Sequence, residues 1–168
     1  MIFFKIVIFI REMSVFGYSN DIVALRGLLE RGANPNQKND HGETLLHIAS
    51  EYDDVDVVRL LLEFGANPNE KNNYGGTPLH YATDLEVAKL LMEHGANPNE
   101  KNNYGNTPLH FAYESTPVIK LLLEFGADYT LTNDFNRPGI DHLTEEEMDD
   151  LIRNHYNPPL EIKDPGFE

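Results

Sequence analysis

Apolar residues recur along the chain in short blocks with helical spacing. Valine, leucine and isoleucine cluster in residues 57–62, 87–91 and 118–123. Because residues three or four apart share one face of a helix, each block predicts an amphipathic helix with a wide apolar side. Each block is followed by Gly-Ala, and glycine in the left-handed conformation commonly ends a helix. A further Gly-Ala occurs earlier in the chain, at Gly32. The terminating glycines are therefore Gly32, Gly65, Gly95 and Gly126, with steps of 33, 30 and 31 residues.

A second block precedes each of the last three helices. It reads Asn-x-x-Gly-x-Thr-Pro-Leu-His-x-Ala around Thr77 and Thr107, and Leu45 replaces the proline after Thr44. Threonine suits a helix N-cap, and proline suits the first helical position. The glycine two residues before each threonine suits a turn with positive φ. Each repeat therefore predicts a first, inner helix and a second, outer helix, the candidate caps of the outer helices being Asp54, Asp84 and Thr116.

The Thr-Pro-Leu-His-x-Ala motif at a period near 33 resembles the ankyrin repeat. The resemblance covers roughly residues 13–140 and implies an all-α solenoid of stacked helix–turn–helix pairs with β-hairpin loops. A capping box, Thr144 with Glu147, predicts a polar helix that closes the array. The predicted divisions are an apolar extension (1–12), an ankyrin-repeat domain (13–156) and a flexible, acidic, proline-containing tail (157–168). Within the domain they are a half-repeat (13–38), repeats 39–71, 72–101 and 102–132, and a C-terminal cap (133–156).

The repeats differ in length between the motif histidine and the first leucine of the outer helix. The separations are 13, 10 and 11 residues in repeats two, three and four. The missing residues fall at the end of the inner helix and in the turn that follows it. Since a helix rises 1.5 Å per residue, three residues correspond to about 4.5 Å. We therefore expect a longer inner helix in repeat two and a stepped inner face.

Charge and composition exclude several classes of protein. The 168 residues include 28 Asp and Glu against 13 Lys and Arg, a net charge of −15. Nucleic-acid binding depends on basic side chains, so no nucleic-acid partner is expected. The chain has no cysteine, which excludes disulfides and thiolate metal sites and favours a cytoplasmic location. Secretion, or delivery into another cell, stays open.

The apolar run at residues 2–10 spans about 14 Å as a helix, roughly half of a bilayer core. It also lacks the basic start and small-residue cleavage site of a good secretory signal. We therefore expect no membrane association. A weak signal, a membrane anchor and a dispensable extension remain the alternatives.

The histidines and acidic residues, whose side chains could serve catalysis or bind metal, fit structural roles. His47, His80 and His110 recur one repeat apart, and neighbouring helices lie about 8–10 Å apart, too far for the three to share one zinc ion. Each histidine is instead placed to hydrogen-bond its cap threonine and nearby backbone. The acidic runs at 53–56 and 145–147 fit a helix start and a helix surface. The sequence thus predicts no enzyme, no metal and no cofactor.

The resemblance implies that hairpin tips and the exposed side of the inner helices meet a protein partner. Tyrosines flanked by asparagines suit recognition, because they combine broad contact area with adaptable hydrogen bonds. The alternative is that Tyr74 and Tyr104 only pack between hairpins, since 72–75 and 102–105 are identical copies. The predicted tip residues are Asp40, His41, Glu43, Asn73, Tyr74, Asn103, Tyr104, Asn106, Asp134, Phe135 and Arg137. The predicted inner-face residues are Glu51, Tyr52, Asp84, Tyr113 and Glu114.

These features predict a monomeric, non-catalytic protein–protein interaction module that binds a basic protein as an adaptor or inhibitor. The acidic surface would attract such a partner over a distance set by salt. A membrane-tethered adaptor that uses residues 2–10 and a non-catalytic subunit of an enzyme complex are the alternatives.

Overall fold

A computed structural model describes residues 19–113, 115–141, 143–144, 146–147, 149, 151 and 153, with side chains from residue 22 onward. The predicted extension (1–12), the predicted tail (157–168) and Glu114 lie outside the described residues. The proposed divisions between repeats stay a prediction.

The described residues form five α-helices and two short 3-10 helices, packed in chain order. This confirms the all-helical repeat architecture. A single α-helix comes first, and it is followed by three pairs, each of an inner and an outer element. In order they are α1 (Ser19–Glu30), α2 (Leu45–Glu51), α3 (Val55–Glu63), a 3-10 helix (Pro78–His80), α4 (Leu85–Glu93), a second 3-10 helix (Pro108–His110) and α5 (Thr116–Glu124).

The inner elements differ in length as the residue spacing predicts. The inner helix α2 has seven residues, whereas the inner elements of repeats three and four have three residues each. The shorter repeats lack the residues that would complete further α-helical turns. At rises of 1.5 Å and about 2 Å per residue, α2 is about 10 Å long and each 3-10 helix about 6 Å. The inner face is therefore stepped.

The outer helices begin at polar caps. Asp54 accepts a hydrogen bond from the backbone N–H of Val57, and Asp84 accepts one from Val87. Both predicted caps are confirmed. The prediction for α5 was wrong by one residue, because the N-cap is Ser115 and Thr116 is the first helical residue. Proline suits the first turn of a helix generally, so Pro117 alone did not fix the starting residue.

One apolar core runs through the stack. The outer helix α3 packs on α4, and α4 packs on α5. Each inward face is buried, and the small residues Ala49, Ala82 and Ala112 are buried as well, as close helix contact requires. Since each repeat buries its apolar face on its neighbours, the end of the array needs a cap.

The C-terminal cap closes this core. Ile140 and Leu151 are buried in it. Thr144 N–H donates to Glu147 Oε2 at 3.0 Å, and Glu147 N–H donates to Thr144 Oγ1 at 3.3 Å. This reciprocal pair confirms the predicted capping box.

Asparagines of the Asn-Pro-Asn turns tie successive repeats together. Asn69 Nδ2 donates to the Gly95 carbonyl at 2.8 Å, while its Oδ1 accepts from Asn97 N–H at 2.8 Å. Asn36 and Asn99 make the same pair of bonds to the repeat that follows each of them. These bonds fix the register of neighbouring repeats.

Within the described part of the chain, no helix is both long enough and apolar enough to cross a membrane.

Candidate interaction surface

Each hairpin tip is built around one asparagine. Asn72 Oδ1 accepts hydrogen bonds from Tyr74 N–H and Gly76 N–H, both at 3.0 Å. The same bonds form around Asn39, Asn102 and Asn133. The tight turn needs positive φ, which Gly75 adopts at 73° and Asn136 at 57° in the cap. The four tips therefore repeat one geometry.

Backbone hydrogen bonds join the tips into a row. Asn73 N–H donates to the His41 carbonyl at 3.0 Å, and Asn103 N–H donates to the Tyr74 carbonyl at 2.9 Å. Asp134 N–H donates to the Tyr104 carbonyl at 3.1 Å. Successive tips are thus direct neighbours along the array.

The residues at the apex of the tips face solvent. Tyr74 and Tyr104 are each 53% exposed, Phe135 is 73% exposed, and His41 is exposed as well. We call this row of four residues the tip ridge. Its neighbours Asp40, Asp134 and Arg137 are exposed, whereas Glu43 and Asn106 are half-buried.

The asparagines beside the tip ridge hold the row together. Asn73 Nδ2 donates to the Asp40 carbonyl, and Asn103 Nδ2 donates to the Asn73 carbonyl, both at 3.0 Å. Asn106 Oδ1 accepts from Asn133 Nδ2 at 2.8 Å. These predicted partner-binding side chains therefore also serve the scaffold.

The predicted inner-face residues do not all lie on one surface. Glu51 and Tyr52 are exposed at the end of α2, and Tyr113 is exposed beyond the second 3-10 helix. Asp84 was assigned wrongly to an inner helix. It is the half-buried N-cap of α4, and its carboxylate bonds the backbone there, because the shortened inner element brings the outer helix start close behind the motif histidine.

Sequence reasoning missed the roles of two residues, Phe111 and Asp53. Phe111 is 39% exposed at the residue after the motif histidine. Asp53 joins repeats two and three: its carboxylate accepts from Thr83 Oγ1 at 2.6 Å, Thr83 N–H at 3.2 Å and Asp84 N–H at 2.9 Å. The sequence shows an acidic helix start at this position, but the partners lie thirty residues away.

The motif histidines are structural, as predicted. His80 Nδ1 accepts from Thr77 N–H, and Nε2 lies 3.1 Å from the Asn106 carbonyl, which it reaches by donating its proton. His47 and His110 make the matching contacts with Thr44 and Gly76, and with Thr107 and Arg137. Burial lowers the pKa of His47, and it lowers the pKa of His80 to about 4. Both ring nitrogens of each histidine are occupied within the chain.

Half of the ten Lys and Arg side chains that the structure describes are paired with carboxylates. Arg26, Lys38, Arg59, Lys71 and Lys89 each form a salt bridge with a glutamate. The Lys38 bond to Glu70, at 2.7 Å, lowers the pKa of that carboxyl group. With a net charge of −15, this pairing leaves an excess of acidic side chains.

Tandem helix–turn–helix units joined by asparagine-built hairpins define a helical-repeat solenoid. The family model for ankyrin repeats (3 copies) matches residues 14–102 and 83–133. The chain belongs to the ankyrin-repeat family. A comparison of the chain with curated proteins gave no match. Ankyrin repeats imply a protein–protein interaction module, and domains of this family are typically non-catalytic.

Proposed function

We propose that the protein is a non-catalytic adaptor or inhibitor that binds a partner with a basic surface through the tip ridge and the stepped inner face. The observation that carries this proposal is the row of exposed aromatic rings on tips that backbone bonds hold in fixed order. Aromatic side chains contribute disproportionately to binding energy at interfaces.

Packing between hairpins does not explain why Tyr74 and Tyr104 stay half-exposed. The bonds that join the tips use backbone groups and the amides of Asn73 and Asn103. About half of each tyrosine side chain stays open to solvent. The tip backbones are bonded to one another, and tyrosine has few side-chain torsions to fix, so binding through these rings costs little conformational entropy. This favours recognition as their role.

Charge favours a basic partner. Glu51 and Asp40 are exposed near the aromatic residues of the inner face and the tip ridge. Half of the ten described Lys and Arg side chains are already paired with glutamates. An acidic surface speeds encounter with a basic one, and the effect falls as salt rises.

The test combines affinity capture from the native cell with a double substitution. Tyr74→Ala with Tyr104→Ala should weaken capture by about 1–3 kcal/mol, or roughly 5–150-fold, while the helical circular dichroism stays unchanged. Phe125→Ala is the matched control, because Phe125 is a 43% exposed aromatic residue at the end of α5 and away from the tips. Capture by the parent chain should also fall at high salt.

Two results would contradict the proposal. Equal loss of capture in the Phe125 variant would show that the tips have no special role. Loss of helical signal in the tyrosine variant would assign the rings to hairpin packing.

A further inference from the structure

A ladder of side-chain amides links the first three hairpin tips. Asn73 Nδ2 donates to the Asp40 carbonyl of the preceding tip, and Asn103 Nδ2 donates to the Asn73 carbonyl, both at 3.0 Å. These three residues occupy the same position in successive tips, one residue before the residue of the tip ridge. Each amide therefore supplies the donor for one backbone carbonyl of the row.

Asp134 stands at this position in the fourth tip. Its N–H donates to the Tyr104 carbonyl, as the corresponding N–H of each earlier tip donates to the tip before it. Its side chain lies in the same place as well. A Cβ atom built on Gly75 would lie 2.5 Å from Asn103 Oδ1, and one built on Gly105 would lie 2.6 Å from Asp134 Oδ1. Asp134 Oδ2 therefore takes the position of the amide nitrogen, next to the Asn103 carbonyl.

The ladder ends at two hydrogen-bond acceptors that face each other, because an ionised carboxylate has no proton to donate. Within the part of the chain that the structure describes, no hydrogen bond reaches the Asn103 carbonyl or the Asp134 carboxylate. Asp134 forms no salt bridge there either, although Arg137 belongs to the same tip. Both acceptor residues are exposed, so a donor from another molecule can reach them.

We propose that these two acceptors bind the guanidinium group of an arginine in the protein partner. The inference rests on the proposed function, to which it adds one anchoring contact at the fourth tip. A guanidinium carries several N–H donors in a fixed plane, so it can donate to the Asp134 carboxylate and to the Asn103 carbonyl at once. Hydrogen bonds from a cation to a carboxylate are also stronger than bonds between neutral groups.

The neighbouring aromatic residues favour arginine over lysine. Tyr104 and Phe135 directly follow the two acceptor residues in the chain, and they are 53% and 73% exposed. A guanidinium group can stack on an aromatic ring while it donates to oxygen atoms in its own plane, whereas an ammonium group is a compact and strongly hydrated charge. At the second and third tips the asparagine amides already fill this place, so the fourth tip differs from them in chemistry and not in shape.

The test uses the full-length chain alone and N-acetyl-L-argininamide as the probe. Titration followed by nuclear magnetic resonance should give saturable shifts of the backbone N–H signals of Gly105, Asp134 and Phe135. Gly75, which lies against the amide of Asn103, is the internal control, and its signal should move much less. N-acetyl-L-citrullinamide has nearly the same shape without the charge and should leave the fourth tip nearly unchanged. N-acetyl-L-lysinamide should bind several-fold more weakly than the arginine probe.

Two variants of equal charge separate the local arrangement from the net charge. Asp134→Asn supplies the amide donor of the earlier tips and should weaken binding of the arginine probe at the fourth tip several-fold. Asp40→Asn removes the same charge from the exposed first tip and should leave binding at the fourth tip unchanged. Asn103→Asp places a carboxylate against the Asn73 carbonyl, so the Gly75 signal should then shift as well. The helical circular dichroism should stay intact in all three variants.

The result that overturns the inference can come from the parent chain or from the variants. In the parent chain it is the lack of a saturable shift at the fourth tip, or an equal response to the citrulline or lysine compound. In the variants it is unchanged binding after Asp134→Asn, or an equal loss after Asp40→Asn. Since the probe needs no partner, these outcomes are independent of the capture experiment.

Discussion

Mild acid should destabilise the protein through the buried His80. Its ring is 3% exposed, one nitrogen accepts from Thr77 N–H and the other donates to the Asn106 carbonyl. A second ring proton, on Nδ1, would end the hydrogen bond from Thr77 N–H and leave Thr77 Oγ1, 2.9 Å away, as its acceptor, with the charged ring still buried. Burial accordingly lowers the pKa of His80 from 6.5 to about 4.

The sign and size follow from the two pKa values. An unfolded histidine binds its proton near pH 6.5 and the folded one near pH 4, so the unfolded state holds more protons between these values. The contribution of His80 to stability is therefore fully present above pH 6.5, and it is lost as the pH falls from 6.5 towards 4. The loss through this one residue is about 2 kcal/mol between pH 7 and pH 5, and about 3 kcal/mol once the pH is below 4. His47, whose pKa is also lowered by burial, acts in the same direction.

Urea unfolding followed by circular dichroism at about pH 7, 6 and 5 measures the effect. The stability gap between the parent chain and His80→Gln should shrink by about 2 kcal/mol over this range, since glutamine does not titrate. The carboxylates, and Glu100 and Lys71, whose charges act on His80, are present in both proteins. Their own contributions therefore largely cancel when the two are compared. His41→Gln, at an exposed tip, should run parallel to the parent chain. Parallel pH profiles for His80→Gln and the parent would refute the reasoning.

Two further predictions concern how the repeats are held together, and urea unfolding measures both. Gly65→Ala and Gly75→Ala both force alanine to positive φ, but only at Gly75 would the new Cβ lie 2.5 Å from Asn103 Oδ1. Gly65→Ala should lower the free energy of unfolding by about 1–2 kcal/mol, and Gly75→Ala should lower it clearly more. Equal losses would contradict the close approach of the tips. Asp53→Ala removes an acceptor of three hydrogen bonds from the next repeat and should cost about 1–3 kcal/mol, whereas the exposed Asp56→Ala should cost little. Because φ is +52° at Asp53, glycine there should cost less than alanine, and the reverse order would contradict the role of that backbone.

The local features of the fold could be predicted from the sequence because their signals are local. Thr44 and Asp54 cap helices through bonds to residues three positions away. The step in the inner face follows from residue counts alone. The location of the tyrosines at the tips could also be predicted, since equivalent positions in successive repeats occupy the same place in the hairpin.

The contacts between repeats could not be predicted in the same way. The partners of Asp53 and Asn73 lie about thirty residues away, and hydrogen-bonding side chains at a turn have several possible acceptors. Asp84 could serve as a helix cap or as an inner-face residue, and only the shortened turn decided between them.

The most direct test of the interaction surface is to map where a captured partner touches the folded chain. Hydrogen exchange or chemical-shift changes on binding should concentrate at His41, Tyr74, Tyr104 and Phe135 and on the inner face near Tyr113. Changes confined to the exposed sides of the outer helices α3, α4 and α5, with the tip ridge unaffected, would contradict the account.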